Sequence, residues 1–224
     1  MKQLKEYLTE GNFFGNLGIG KKNVIEDWLK KYNIKKYNIN NDWTIDVNGE
    51  VDLRYYPDKE LPDYIQFNYV KIFNISNSNI NTLKGVPNKC LKFKCSECNS
   101  LTSLEGAPKE CKLFFSCNGC INLISLKGAP KECKEFCCDE CESLTSLEGA
   151  PEKCEGFYSY YCTNLTSLEG APIKCEKFNC RGCTNLTSLK GAPKECKEFC
   201  CFYCKGNFTE EDVKKVCNAK IIKC

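Results

Sequence analysis

The sequence predicts a mostly β, α/β repeat protein: a solenoid of ~21-residue coils whose strands form a parallel sheet on the concave face. Three observations predict it. Cys90, Cys111, Cys133, Cys154, Cys175 and Cys196 recur at intervals of 21, 22, 21, 21 and 21 residues, and self-similarity at a fixed period marks a repeat architecture. Each unit carries the alternating step Phe-x-Cys, with the period of two that a half-buried strand requires. Each unit closes on Gly-(Ala)-Pro, which blocks a helix because proline lacks an N–H and restricts the residue before it.

The columns follow from the period. Phe93, Phe115, Phe136, Phe157, Phe178 and Phe199 hold one register position. Leu101, Leu123, Leu144, Leu165 and Leu186 hold a second, and Leu104, Leu126, Leu147, Leu168 and Leu189 a third. The long interval places its extra residue between Cys111 and Phe115, since every later position is back in register. One coil has too few apolar residues to bury its own face, so the coils must stabilise one another by stacking.

Both ends carry cap signals, giving three parts: residues 1–60, 61–204 and 205–224. Val24, Ile25, Trp28, Leu29 and Tyr32 fall on one face of a helix over 22–33. Ile45-x-Val47, Asn48-Gly49 and Val51-x-Leu53 read as a hairpin with its preferred turn dipeptide. Phe73 through Pro87 is a shortened repeat without cysteine. Beyond 204, Thr209 with Asp212 resembles a capping box, and Val213 and Val216 give a short helix over the last coil.

These units resemble leucine-rich repeats. The family pattern Leu-x-x-Leu-x-Leu-x-x-(Asn or Cys) is matched by Cys133-x-x-Phe136-x-Cys138-x-x-Cys141 and its equivalents, over roughly residues 50–204. The following Leu-Thr-Ser-Leu-Glu-Gly-Ala-Pro is similar to short repeats of bacterial effectors, and closer to those of tailed-phage and giant-virus proteins. Cysteine in place of leucine in the core columns departs from the pattern. The resemblance implies a curved solenoid that binds proteins without catalysis, with a viral origin and a host protein as partner. Fold alone assigns no partner.

Composition narrows the function further. The 224 residues contain 21 cysteines and no histidine, with 32 Lys+Arg against 29 Asp+Glu. Without histidine there is no Ser-His-Asp or Cys-His catalytic pair and no imidazole metal ligand. A formal charge of +3 argues for neither nucleic acid nor an anionic membrane. The charged N-terminus reads as no signal peptide, and an odd cysteine count in a chain of this length fits a cytoplasmic, reducing compartment. Glu105, Glu148 and Glu169 alternate with Lys127 and Lys190 in one column, a mixed solvated face and not an acid–base pair.

Two constellations remain. The positions outward from the sheet include Tyr158, Tyr160 and Tyr161 in one coil, Arg181 in the next, and Phe202 and Tyr203 beyond it. Tyrosine and arginine dominate binding hot spots, so these residues are the expected surface for an unidentified protein partner. The second constellation is Cys-x-x-Cys, at Cys95/Cys98, Cys117/Cys120, Cys138/Cys141, Cys180/Cys183 and Cys201/Cys204, with Ser159 and Cys162 in the coil that breaks it. Stacked pairs have the spacing of four-thiolate zinc or iron–sulfur sites, which would make the chain a metalloprotein. The same spacing is a by-product of the period, and buried thiols serve well as small core residues with no cofactor. Cys137 and Cys200 are expected to face outward as the most reactive thiols. A structural part of a virion is a further reading, and the sequence sets no oligomeric state.

Overall fold

The structure is a computed structural model and describes residues 14–224. The charged segment read as excluding a signal peptide lies outside the described residues. The chain begins with α1 (Phe14–Lys31), followed by β1 (Tyr37–Ile39), β2 (Ile45–Asp52), β3 (Phe67–Asn74), β4 (Lys89–Lys94) and β5 (Glu110–Ser116). It continues through β6 (Glu135–Cys137), β7 (Gly156–Tyr158), β8 (Lys177–Asn179), β9 (Glu195–Cys200), α2 (Glu210–Val216) and β10 (Asn218–Lys223). All ten strands form one sheet in chain order. Each consecutive pair from β2 to β10 is parallel, and only β1 runs antiparallel to its neighbour. A sheet whose spatial order equals its chain order is what stacked coils of one period produce.

Alternation sorts the side chains as the sequence reads. The phenylalanine column from Phe73 to Phe199 is fully buried, as are the two leucine columns apart from slight exposure at Leu101 and Leu189. Ring centroids along the phenylalanine column lie 5.1–5.7 Å apart with interplanar angles of 5–29°. Offset stacks of this kind add ~0.5–1.5 kcal/mol per pair beyond buried area. The 22-residue interval is absorbed as a bulge: Cys90 pairs with Cys111 and Lys92 with Phe114, so the added residue sits between Cys111 and Phe114.

The Gly-Ala-Pro corner needs its glycine for two reasons. Gly149 and Gly170 hold φ of +89° and +90°. A Cβ on either would stand 2.5 Å from backbone atoms of the preceding coil. The corner therefore sets how closely coils stack, while proline keeps the segment from becoming helical. Outside the core, lysine–glutamate pairs bridge coils, as in Lys127–Glu105 at 3.1 Å and Lys190–Glu169 at 2.7 Å. These pairs are solvent-exposed, and each is worth only ~0–1 kcal/mol.

The ends differ from the sequence reading. Asn48-Gly49 is not a turn. It lies inside β2 as a bulge, where Val47 pairs with Val70 and Glu50 with Ile72. The antiparallel pair instead joins β1 to the start of β2, with Asn40 N–H donating to the Thr44 carbonyl at 2.8 Å across the turn. Lateral pairing with β3 along the whole of β2 outweighs the local turn preference of Asn-Gly. In α1, Ile25, Trp28 and Leu29 are buried as the helical face requires. At the other end the capping box forms, with Thr209 and Asp212 exchanging both bonds. Val213 is buried, but Val216 is exposed and Cys217 takes the second packed position. The sequence reading also missed β10, which adds a parallel rung beyond β9. Parallel stacking thus runs from β2, inside residues 1–60, to β10, inside 205–224.

Candidate functional site

The outward aromatic residues do come together. β7 ends at Tyr158, whose side chain points away from Phe157 and the core. Tyr158 and Tyr160 meet edge to face at 5.7 Å. The Arg181 guanidinium lies over both neighbouring rings, 4.8 Å from the Tyr160 centroid and 5.8 Å from that of Tyr161. A cation on aromatic faces contributes ~0.5–1 kcal/mol at exposed sites. Phe202 and Tyr203 lie one coil further, with ring centroids 6.2 Å apart.

Two glycines and one carboxylate seat this cluster, and the sequence reading assigned them no role in it. A Cβ on Gly156 would stand 2.7 Å from the Tyr158 ring, and one on Gly182 would stand 2.4 Å from the Tyr161 ring. The rings therefore lie down on backbone that only glycine leaves open. Asp139 accepts from the Tyr160 backbone N–H at 2.9 Å and from the Asn118 side-chain amide at 3.0 Å. Burial pushes the Asp139 carboxyl up to about 6, against the pull of those two hydrogen bonds. Burial likewise pushes the Tyr160 hydroxyl up to about 12. The only sequence signal for Asp139 was its place, one coil before Tyr160 in the same column.

The third residue of each Cys-x-x-Cys turn is left-handed. Tyr161 and Tyr203 hold φ of 54° and 60°, where the equivalent Gly119 and Gly182 hold 67° and 72°. For a residue with a Cβ that region costs ~1–2 kcal/mol. Tyr161 and Tyr203 nonetheless remain exposed, at 44% and 83%, and Phe202 at 37%.

The cysteines form two buried hydrogen-bonded columns. The second thiol of each turn donates backward to the preceding coil. Cys98 reaches the Ile75 carbonyl at 3.3 Å, Cys120 reaches Cys95 at 3.1 Å and Cys141 reaches Cys117 at 3.2 Å. Cys162, Cys183 and Cys204 reach Cys138, Ser159 and Cys180 at 3.1, 3.2 and 3.2 Å. The first position donates forward, as Cys117, Cys138 and Cys180 do to Cys137, Tyr158 and Cys200 at 3.6, 3.4 and 3.5 Å. Ser159 does the same to Asn179 at 3.4 Å, so a hydroxyl replaces the thiol without a change of role.

Among the described residues no group of three or more His, Cys, Asp or Glu side chains could hold an ion. Burial pushes the Cys98 thiol up to about 11 and raises Cys117 well above its ordinary value, while hydrogen bonding with Cys95 and Cys180 lowers Cys120 and Cys204. Cys95 and Cys201 complete the inward column, and both are buried. Cys137 and Cys200 correct the sequence reading: they are 8% and 4% exposed, not outward and open. Stacked coils stand only ~4.8 Å apart, so a small side chain on the outer face is covered by larger neighbours. Cys224 is exposed and Cys154 half-buried.

Among the described residues no helix is long and apolar enough to cross a membrane. Family models, curated proteins and solved structures yield no match to the chain.

Proposed function

We propose that the chain is a non-enzymatic binding module of leucine-rich-repeat type that takes a protein partner on Tyr158, Tyr160, Tyr161 and Arg181. The observation that carries this reading is the arginine laid across two tyrosine rings on the outer face of the sheet, on backbone cleared by Gly156 and Gly182. Rigid, pre-seated aromatics bury area on binding with little further loss of side-chain freedom. Phe202 and Tyr203 extend the surface along the stack. The left-handed tyrosines support the reading, because glycine would sit there with less strain and offer a partner nothing. The likeness of the repeats to viral sequences makes a host protein the proposed partner.

The test compares affinity capture by the native chain, by a Tyr158→Ser/Tyr160→Ser/Tyr161→Ser variant, and by a Thr145→Ser/Thr166→Ser control far along the coil. The partner should be held by the native chain and the control and lost from the tyrosine variant, whose circular dichroism stays native. Equal capture by all three would overturn the assignment.

A further inference from the structure

The end of the cysteine column behaves unlike the rest of it. Along the first position of each turn, thiols donate to carbonyls of the next coil. At the last rung the Cys201 thiol instead meets the Cys224 thiol, Sγ to Sγ, at 3.2 Å. β10 continues the stack, with Lys223 paired to Cys200 and the Cys201 N–H donating to the Lys223 carbonyl at 2.8 Å. Cys224 is therefore the next register partner of Cys201. Directly opposed residues on parallel strands have Cα atoms ~4.8 Å apart. That falls inside the ~4.4–6.8 Å range a disulfide spans without backbone movement.

A neighbouring pair lacks this match. Cys196 and Cys217 also touch, Sγ to Sγ, at 3.5 Å. Yet Cys196 is paired in register with Ala219, two residues further along than Cys217. Both of its thiols are buried. A bond there requires the α2–β10 junction to shift, whereas Cys224 is exposed to reagents in solution and its partner already faces it.

We propose that Cys201 and Cys224 are a thiol–disulfide exchange site that reversibly staples β10 to β9 when a low-molecular-weight disulfide is supplied as oxidant. Cys224, as the exposed thiol, gives up its proton and attacks one sulfur of the small disulfide. That S–S bond breaks, and the first small thiolate leaves and takes up the proton. Cys201 then loses its proton, and its sulfur attacks Sγ of Cys224, expelling the second small thiolate, which is protonated in turn. Two protein thiols and one small disulfide become one protein disulfide and two small thiols, with two electrons passing to the oxidant. Burial raises the Cys201 thiol, so Cys224 reacts first. The other thiols of the two columns are buried, and all but Cys95 donate to a carbonyl, so only at the β9–β10 pair does an exposed thiol already face a column thiol.

The experiment incubates the reduced, full-length chain with oxidised glutathione, blocks remaining thiols with maleimide, and maps linked peptides by mass spectrometry without reduction. A single Cys201–Cys224 bond should appear first, and native maleimide labelling of Cys224 should disappear. Cys224→Ser should form no disulfide under the same conditions. Cys201→Ser should keep one glutathione on Cys224 that the native sequence releases. A lasting glutathione adduct on Cys224 of the native chain, a Cys224-linked dimer, or earlier bonding of Cys196–Cys217 would each overturn the proposal. Should Cys201→Ser fail to fold, the native and Cys224→Ser arms decide it.

Discussion

The first coils and the later ones build the same core from different chemistry. In register with the first cysteine column stand Leu53 and Ile75, and both are buried. In register with the second stand Tyr56 and Ser78. The Ser78 hydroxyl donates to the Ile75 carbonyl at 2.6 Å, the same carbonyl that the Cys98 thiol reaches at 3.3 Å. Leucine or isoleucine thus suffices at the first position, whereas Ser78 and the cysteines that follow it supply a donor at the second. The cysteine-rich region thus continues the architecture of the first coils. It is the same coil with thiols used as small groups that can both pack and donate.

The largest effect that would break this comparison is a loss of register. One residue inserted between Phe136 and Cys138 turns that coil's inward set outward. The expected result is collapse of the cooperative thermal transition. Deleting 154–174 instead removes one whole coil and leaves complementary faces, so a sharp transition should survive at a lower midpoint. Equal melting of the two variants would contradict a stack of equivalent coils.

A smaller effect sharpens the difference between the two cysteine columns. Among the described residues no backbone N–H donates to the carbonyls of Cys95, Cys138, Ser159 or Cys180. Cys162→Val should leave the Cys138 carbonyl unpaired and cost ~1–3 kcal/mol in denaturant melts. Cys162→Ser should recover most of that. Cys138→Val should cost under ~1.5 kcal/mol, because the Tyr158 carbonyl keeps the Cys138 N–H at 2.9 Å. Equal costs for the two valine variants would show that packing alone governs both columns.

The aromatic cluster carries a pH signature of its own through Asp139. Asp139 has its carboxyl raised from 3.8 to about 6 in the folded chain, chiefly by burial. The folded state therefore binds more protons than the unfolded one between those values, and stability falls as pH rises through that window. Melting midpoints from pH 4 to 7 should show this decline, and Asp139→Asn should flatten it. Stability rising over the same range in the native chain, but not in Asp139→Asn, would show the carboxylate to be favoured instead.

The smallest effect concerns strain. Tyr203 is 83% exposed in left-handed backbone, so Tyr203→Gly removes little packing and relieves the φ of 60°. A gain of about 0.5–1 kcal/mol is expected, together with weaker capture of the partner. A loss of stability would mean that the ring packs more than its exposure shows.

Much of the architecture was legible in the sequence because a repeated period averages out local ambiguity. The phenylalanine and leucine columns, the bulge after Cys111 and the Thr209 capping box each depend on residues within one coil or one turn. The aromatic cluster was legible as a list of outward residues, but its seating by Gly156, Gly182 and Asp139 was not. Three other features were decided only by the tertiary structure. Asn48-Gly49 became a bulge because β3 pairs alongside it. Cys137 and Cys200 became buried because larger neighbours cover a narrow strand spacing. The acceptor of each thiol, and the meeting of Cys201 with Cys224, depend on the adjacent coil, 20 or more residues away in the chain. The period specifies which side chains turn inward, since alternation is local. What those side chains then touch is specified by stacking, since each partner is supplied by the neighbouring coil.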